Sequence, residues 1–370
     1  MRKDVEVRSV KRDSNIELLR IISMLLIVAT HTFGTYSDII GSQFPWPINW
    51  SFFYIIKAIS YIAVNMYVMI GAYFLCTSKF RSKRVVKFWL EIFFYSVFIG
   101  IIGLFSGRIG GGKYLFSMFF PILSKEYWFA TIYMGLLILS PFLNISLRAM
   151  NERVLRYFCI TLIVIFSVIP SLIINFNSWM NFGNGVGIVW FVTLYFVSAY
   201  IRLYVNKDHL IKNRSKLLWG GLFFSISPYF LRVIIVIVTH FVMGKAQFGG
   251  LFYGNEIILP FVATVFVFLY FLSIDIKNSG LSSLINWVAR GTFGVYLIHE
   301  HPWVRELLKE LAPNYLMTEQ WYYPLQSIVW IVSIYVICTL IDGIRQLLFI
   351  PINKLKMVKL EGIDRRINDL

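Results

Sequence analysis

The sequence predicts an all-α integral membrane protein, a bundle of about ten transmembrane helices with both termini in the cytoplasm. Three observations support this prediction: the composition, the spacing of the apolar segments and the distribution of basic residues. Of the 370 residues, 58% are hydrophobic and only 15% are charged. A soluble domain averages about 45–50% apolar and about 25% charged residues. The composition therefore leaves no room for a large soluble domain.

Ten apolar segments have the length and hydropathy of membrane spans. They run over 15–36, 51–76, 85–107, 127–147, 154–175, 185–204, 216–241, 251–274, 284–303 and 323–349. The ninth is the weakest, because Arg290, His299 and Glu300 interrupt it. If this segment does not cross the membrane, the C-terminus lies on the opposite side from the one predicted.

Connections between spans that are rich in Lys and Arg alternate along the chain with connections that are poor in them. The basic residues are concentrated in 79–87, 148–156, 202–216 and 354–366, and they are absent from 37–50 and 176–184. The positive-inside rule places the basic set in the cytoplasm. We therefore assign the net charge of +16 to membrane topology and predict no nucleic-acid partner.

The expected organisation is a single transmembrane domain with two basic ends. It consists of a cytoplasmic segment over 1–14, the transmembrane domain over 15–350 and a cytoplasmic tail over 351–370, in the cytoplasmic membrane. The three cysteines, Cys76, Cys159 and Cys338, have neither the spacing of a metal site nor that of a disulfide framework. The sequence therefore predicts no metal ion, and it does not define the oligomeric state.

Arg20 and His31 are the most informative residues of the first span. They are eleven residues apart, which is roughly three helical turns, so both face one side with roughly 16 Å between them along the axis. Glu17 lies three residues before Arg20 and can pair with it. Ionisable residues inside a membrane are expensive to keep and mark functional sites. The pair predicts a site reached from the cytoplasm and acting near the midplane, with His31 as general base. The alternative is an interfacial arginine and a hydrogen-bonded polar side chain.

Two later motifs complete the candidate site. Arg81 and Arg84 lie three residues apart in the first cytoplasmic connection, where two guanidinium groups can share a phosphate. Tyr296 and His299 are also three apart, and His299 lies about as far from the cytoplasmic end of its span as His31 does. The two histidines can therefore meet at one depth. The alternatives are positive-inside charge for the arginines and a polar pair that binds neighbouring helices for the late motif.

Two further charged pairs are predicted without a chemical role. Arg232 lies well inside the seventh span and Glu256 begins the eighth, so an ion pair between them would neutralise a buried cation. Asp342 and Arg345 are three residues apart near the inner end of the last span and can pair along the helix.

These motifs resemble those of the membrane-bound acyltransferase-3 family over essentially the whole chain. The family has a basic residue, ten intervening positions and a histidine in its first span, which Arg20 and His31 match. Its R-x-x-R motif matches Arg81 and Arg84, and its late Y-x-x-H motif matches Tyr296 and His299. Trp128-Phe129 at the start of the fourth span and Pro141 within it also fit. The sequence departs from the family in having Glu17 where many members have aspartate, and threonines on both sides of His31.

The resemblance implies ten spans and a membrane-bound O-acyltransferase, with acetyl-CoA as the donor and an extracytoplasmic or lipid-linked polysaccharide of a bacterial envelope as the acceptor. It implies that Arg20, Arg81 and Arg84 bind the donor. His31 would act as general base or carry the acyl group, and His299 and Tyr296 would orient the acceptor or stabilise the oxyanion. Two other classes stay open: a transporter or export factor for a glycan or small organic acid, and a non-catalytic assembly subunit.

Overall fold

The computed structural model describes residues 13–34, 49–107, 110–173, 185–312, 319–349 and 358–369. Within these ranges the regular elements are all helices. The helices are α1 Ser14–Gly34, α2 Trp50–Ser60, α3 Ala63–Leu75, α4 Ser82–Phe105, α5 Gly112–Phe119, α6 Trp128–Ala149, α7 Glu152–Leu172, α8 Ile188–Tyr204, α9 Lys207–Lys212, α10 Arg214–Met243, α11 Ile258–Ser273, α12 Ser279–Arg290, α13 Thr292–His299, α14 Pro302–Leu311, α15 Tyr323–Leu348 and α16 Val358–Asn368.

Seven helical segments in the described ranges are long and apolar enough to cross a membrane. They are α1, α2 together with α3, α4, α6, α7, α10 and α15. Two shorter apolar helices, α8 and α11, belong to the same bundle. The fold is therefore that of a multi-pass helical membrane protein, as the composition predicts. The total of ten spans and the cytoplasmic position of both termini remain predictions.

Helix α1 lies in the middle of the bundle. It packs against α2, α3, α11, α12, α13 and α15. Leu19, Met24 and Val28 are at most 1% exposed, so α1 is buried along much of its length. Polar side chains on α1 therefore need partners inside the protein, because unsatisfied polar groups are costly in an apolar interior. The hydroxyl groups of Ser23, Thr30 and Thr32 donate to backbone carbonyl groups of α1 itself.

The predicted ninth span is not one continuous helix. The Asn278 side chain caps α12 by accepting a hydrogen bond from the backbone N–H of Leu281. Helix α12 ends at Arg290, and α13 follows Gly291 and ends at His299. His301 then caps α14 through the backbone N–H of Trp303. The segment over 284–303 is therefore divided between helices, and its role as a ninth span remains a prediction. Of the three polar residues that interrupt it, His299 and Glu300 are buried in the bundle, whereas Arg290 is exposed.

The break at Gly291 allows α13 to approach α15 closely. Asp342 of α15 is fully buried and lies so near Gly294 that a side chain at that position would overlap its carboxylate. Asp342 also accepts hydrogen bonds from Tyr95 and from Arg345, each at 2.7 Å. The predicted Asp342–Arg345 pair is confirmed. It belongs to the packing between α4, α13 and α15.

The other predicted pair is wrong. The guanidinium group of Arg232 lies over the ring of Tyr54, with 3.6 Å between its Cζ atom and the ring centroid. Within the part of the chain that the structure describes, Glu256 is not among the ion-pair partners of Arg232. The positions of Arg232 and Glu256 in the sequence define neither the rotation of their helices nor the contact of Arg232 with the aromatic residues of α2.

Candidate functional site

The structure brings the two predicted histidines together. His31 lies in the last turn of α1 and His299 ends α13. Nδ1 of His31 is 2.9 Å from Nε2 of His299, and the ring centroids are 5.1 Å apart. His299 is 2% exposed, whereas the His31 side chain is 25% exposed. His31 is therefore the more accessible partner of a hydrogen-bonded pair.

The hydrogen bonds define which nitrogen atoms carry protons when both rings are neutral. Nδ1 of His299 lies 2.6 Å from the carbonyl oxygen of Val295, which can only accept, so this nitrogen is the donor. Nε2 of His299 is then the acceptor, and Nδ1–H of His31 donates to it. This arrangement leaves the lone pair on Nε2 of His31, which is the atom a general base uses.

A carboxylate that the sequence analysis treated only as an interruption completes this cluster. Oε1 of Glu300 lies 3.1 Å from Nδ1 of His31, and the carboxylate is also 3.9 Å from Nη1 of Arg305. An acidic group beside the donor nitrogen of a histidine fixes the tautomer and stabilises the imidazolium form. We refer to His31, His299 and Glu300 as the histidine centre. Its signal in the sequence was an acidic residue directly after a histidine in an apolar segment.

Tyr296 contacts the histidine centre through its ring. The Tyr296 and His299 rings meet edge to face, with 6.2 Å between their centroids. On its other sides the Tyr296 ring packs against Phe129, at 5.6 Å, and Phe293, at 6.1 Å. Its hydroxyl group is buried beside the backbone of Phe129 and Ala130 in α6. Tyr296 therefore packs against His299 and places its hydroxyl group at α6.

A small cavity of about 30 Å³ adjoins the histidine centre. Besides the three residues of the centre, its lining includes Thr32, Arg305 and Trp330. A volume of this size admits at least one water-sized group. A hydroxyl group can therefore approach His31 in this cavity, while most of a larger acceptor would lie outside it.

The same three side chains are the residues that would hold a metal ion in this region. Their ligand atoms all lie within 4.8 Å of one another. Ligands of a tetrahedral zinc ion, each at roughly 2.0–2.1 Å, are separated from one another by roughly 3.3 Å or more. The 2.9 Å contact between the ring nitrogens of His31 and His299 is instead the length of a hydrogen bond. The geometry therefore favours a hydrogen bond between His31 and His299 over a metal ion bound by both.

Near the other end of α1, Arg20 forms the predicted pair with Glu17, with 3.2 Å between Nε and Oε2. Its guanidinium group also lies 5.9 Å from the ring centroid of Tyr67. Tyr133 interacts electrostatically with both Arg20 and Arg84. The first-span arginine and one arginine of the R-x-x-R motif are therefore neighbours of the same phenol group, although they are far apart in the sequence.

The R-x-x-R motif lies at the start of α4. Arg81 is exposed in the position before the helix, and Arg84 in its first turn donates a hydrogen bond to Oγ of Ser78 at 3.2 Å. Ser78 lines a cavity of about 850 Å³. Lys79 and Arg148 also line this cavity, and its size falls within the usual range for ligand pockets. We define Arg20, Arg81 and Arg84 as the arginine site. Of these three residues, Arg84 contacts the wall of the cavity through Ser78.

The two groups of residues lie at opposite ends of α1. His31 is 17 residues from the first residue of this 21-residue helix, while Arg20 is in its second turn. Along the axis roughly 16 Å separates Arg20 from His31. His31 therefore lies in the last turn of α1. The position of the histidine centre relative to the membrane midplane remains a prediction.

Comparison with known proteins agrees with these features. A family model described as an acyltransferase domain, that of the acyltransferase-3 family, matches residues 13–342. No curated protein and no solved structure matches the chain. The matched range covers most of the chain and contains both the histidine centre and the arginine site. The chain therefore belongs to the acyltransferase-3 family.

Proposed function

We propose that the protein transfers a short acyl group, acetyl in the first instance, from acyl-CoA to a hydroxyl group of a polysaccharide or its lipid-linked precursor. The observation that carries this proposal is the His31–His299 hydrogen bond, which leaves Nε2 of His31 as a base beside a cavity. Membership of an acyltransferase family supports acyl transfer as the type of reaction. The donor, the acceptor and the acetyl group itself are parts of the proposal.

The proposed reaction is a direct transfer. Nε2 of His31 removes the proton of the acceptor hydroxyl group while the oxygen of this hydroxyl group attacks the carbonyl carbon of the thioester. The C–S bond then breaks, and the CoA thiolate takes the proton from His31, which gives the ester and free CoA. Glu300 and His299 stabilise the positive charge on His31 during the transfer, because both lie beside its Nδ1 atom. The Tyr296 hydroxyl would orient the acceptor or stabilise the oxyanion.

The arginine site would hold the donor. A CoA molecule carries phosphate groups, which guanidinium groups bind through charge-assisted hydrogen bonds. Arg84 adjoins the cavity of about 850 Å³ through Ser78, and Arg20 lies on the path along α1 towards His31. With the predicted orientation, the donor binds from the cytoplasm and the acceptor approaches from the opposite face of the cytoplasmic membrane. The proposed reaction uses neither a metal ion nor nucleic acid.

The test is a labelled-donor assay with purified full-length protein in nanodiscs. Radiolabelled acetyl-CoA is supplied with cell-wall glycan, and label is followed into free acetate, protein and glycan. We expect the parent protein to transfer or release label and His31→Ala to do neither, although it still binds acetyl-CoA. His209→Ala, which changes an exposed histidine in α9, is the matched control. Absence of acetyl-CoA binding and turnover in the parent protein would contradict the proposal and favour a transporter or an assembly subunit.

A further inference from the structure

Arg232 is a buried cation surrounded by aromatic rings. It lies in α10 and is 8% exposed. Its Cζ atom is 3.6 Å from the ring centroid of Tyr54, 5.6 Å from that of Trp50 and 5.8 Å from that of Tyr253. We call these three rings around Arg232 the Arg232 cage. Cation–π attraction from three rings explains how the guanidinium group is retained in an apolar bundle.

The cage supplies no negative charge. None of the ion pairs between described residues includes Arg232. Its guanidinium group has a hydrogen bond with the Tyr54 side chain, while its buried Nε atom has no hydrogen-bond partner among the described residues. Buried charges are normally paired, because removing an ion from water is expensive. Three other arginines, Arg20, Arg305 and Arg345, make four contacts with carboxylates among the described residues. Arg232 therefore retains binding capacity for an anion.

The backbone also approaches the cage closely. A side chain on Gly249 would place its first carbon 2.9 Å from Nη1 and 3.0 Å from Cζ of Arg232. Lys57, a second cation, has its Nζ atom 5.9 Å from the ring centroid of Tyr54 and 6.0 Å from that of Tyr253. Two cationic side chains thus lie against the rings of Tyr54 and Tyr253, and positive charge attracts an anionic ligand.

The cage lies at the same end of the bundle as the histidine centre. Helix α1 ends three residues after His31, and α2 begins with Trp50 after the connection, so Trp50 lies at this same end. Aromatic contacts link the two regions: Phe33 packs on Phe53, with 5.2 Å between centroids, and Phe53 packs on Tyr54, at 4.9 Å. The histidine centre and the cage are therefore neighbours at one end of the bundle, connected by packed aromatic side chains of α1 and α2.

We propose that the Arg232 cage binds an anionic group, a carboxylate or a phosphate, of the acceptor glycan while another part of the same molecule is acylated at His31. The inference rests on the proposed function for the identity of the ligand as an acceptor. Guanidinium binds both carboxylate and phosphate through two parallel hydrogen bonds, so either anion fits the same group. The acceptor class is therefore an acidic glycan rather than a neutral one.

Binding is tested by calorimetry on the full-length protein in nanodiscs of zwitterionic lipid. The probes are a galacturonate oligomer, which carries carboxylates, a glycerol phosphate oligomer, which carries phosphates, and a neutral chitin oligomer of similar length. We expect at least one anionic probe to bind and the neutral probe to bind more weakly. Arg232→Gln should weaken binding of the anionic probe roughly 10- to 100-fold, the usual effect of losing hydrogen bonds to a charged group. Arg153→Gln, at an exposed arginine of α7, should leave binding unchanged.

Two further variants separate binding from a structural role. Gly249→Ala should weaken anion binding by displacing the guanidinium group, whereas Arg232→Lys should keep part of it. Acetyl-CoA hydrolysis without acceptor should stay at the parent rate in all of these variants. Three results would overturn the proposal. The first is equal binding of neutral and anionic probes, and the second is unchanged anion binding in both Arg232→Gln and Gly249→Ala. The third is that phosphatidylglycerol, rather than a glycan, competes for the site. If the parent protein binds the anionic probe but does not turn over acetyl-CoA, the cage is an anion-binding site and the proposed function is wrong.

Discussion

The two ends of α1 differ in how their ionisable side chains are held. At the histidine centre, His299 and Glu300 lie within hydrogen-bonding distance of His31 Nδ1, and all three residues line a cavity of about 30 Å³. At the arginine site, Arg84 donates a hydrogen bond to Ser78, which lines a cavity of about 850 Å³. A tightly connected cluster suits proton transfer, whereas cations near a large cavity suit binding of a charged donor. The comparison predicts that substitutions at one end change kcat and those at the other change KM.

The largest expected effect is at His31. In His31→Gln the general base is lost, so we expect kcat for acetyl transfer to fall about 10³-fold, within the range for loss of acid–base catalysis. The KM for acetyl-CoA should change little, because His31 is far along α1 from Arg20. Steady-state kinetics at several donor concentrations measures both values. A variant with parent-like kcat would exclude His31 as the base.

His299 and Glu300 should have intermediate effects that differ from each other. His299→Ala removes the acceptor for Nδ1–H of His31, and we expect kcat to fall about 100-fold, less than for loss of the base itself. His299→Gln should restore part of the rate, because its side-chain oxygen can accept the same hydrogen bond. Glu300→Gln should lower kcat roughly tenfold through loss of one charge-assisted hydrogen bond. If His299→Gln were no better than His299→Ala, the proposed orienting hydrogen bond would be wrong.

At the arginine site the expected change is in donor affinity. Arg84→Ala should raise the KM for acetyl-CoA roughly tenfold, because one charge-assisted contact to a phosphate is lost. Lys87→Ala, at an exposed position of the same helix, is the matched control and should leave KM near the parent value. An export factor without a CoA substrate would show no such difference between the two variants. Unchanged KM in Arg84→Ala would place the donor elsewhere.

The smallest expected effect is that of metal removal. Because the contact between His31 and His299 has the length of a hydrogen bond, a chelator such as 1,10-phenanthroline should leave acetyl transfer unchanged. Metal analysis of the purified protein provides an independent measurement. One equivalent of zinc that disappears together with activity, and returns with it, would show that the histidine centre is a metal site.

Much of this arrangement follows from the sequence because membrane helices obey simple length rules. Arg20, Glu17 and His31 share one helix, so their relative positions follow from the rise and turn of α1. The equal depth of His31 and His299 predicted that they can meet, and the structure brings them together. Their roles, and those of Tyr296, Arg81 and Arg84, remain proposals.

Other features depend on packing that one sequence does not define. Glu300 contributes to the histidine centre because the chain breaks after His299 and turns its next residue inwards, whereas an uninterrupted helix would place it elsewhere. Arg232 stacks on Tyr54 instead of pairing with Glu256, because α10 packs against both α11 and α2 and turns this side chain towards α2. Breaks and rotations of helices are determined by neighbouring helices rather than by local pattern.

The most direct test of the account is to measure kcat and the KM for labelled acetyl-CoA in His31→Gln and Arg84→Ala side by side, using the same nanodiscs and acceptor preparation. The account predicts that His31→Gln loses kcat and keeps KM, whereas Arg84→Ala keeps kcat and raises KM. Equal losses of kcat in both variants with no change in KM, or unchanged kinetics in His31→Gln, would contradict the division between a chemical end and a donor-binding end of α1.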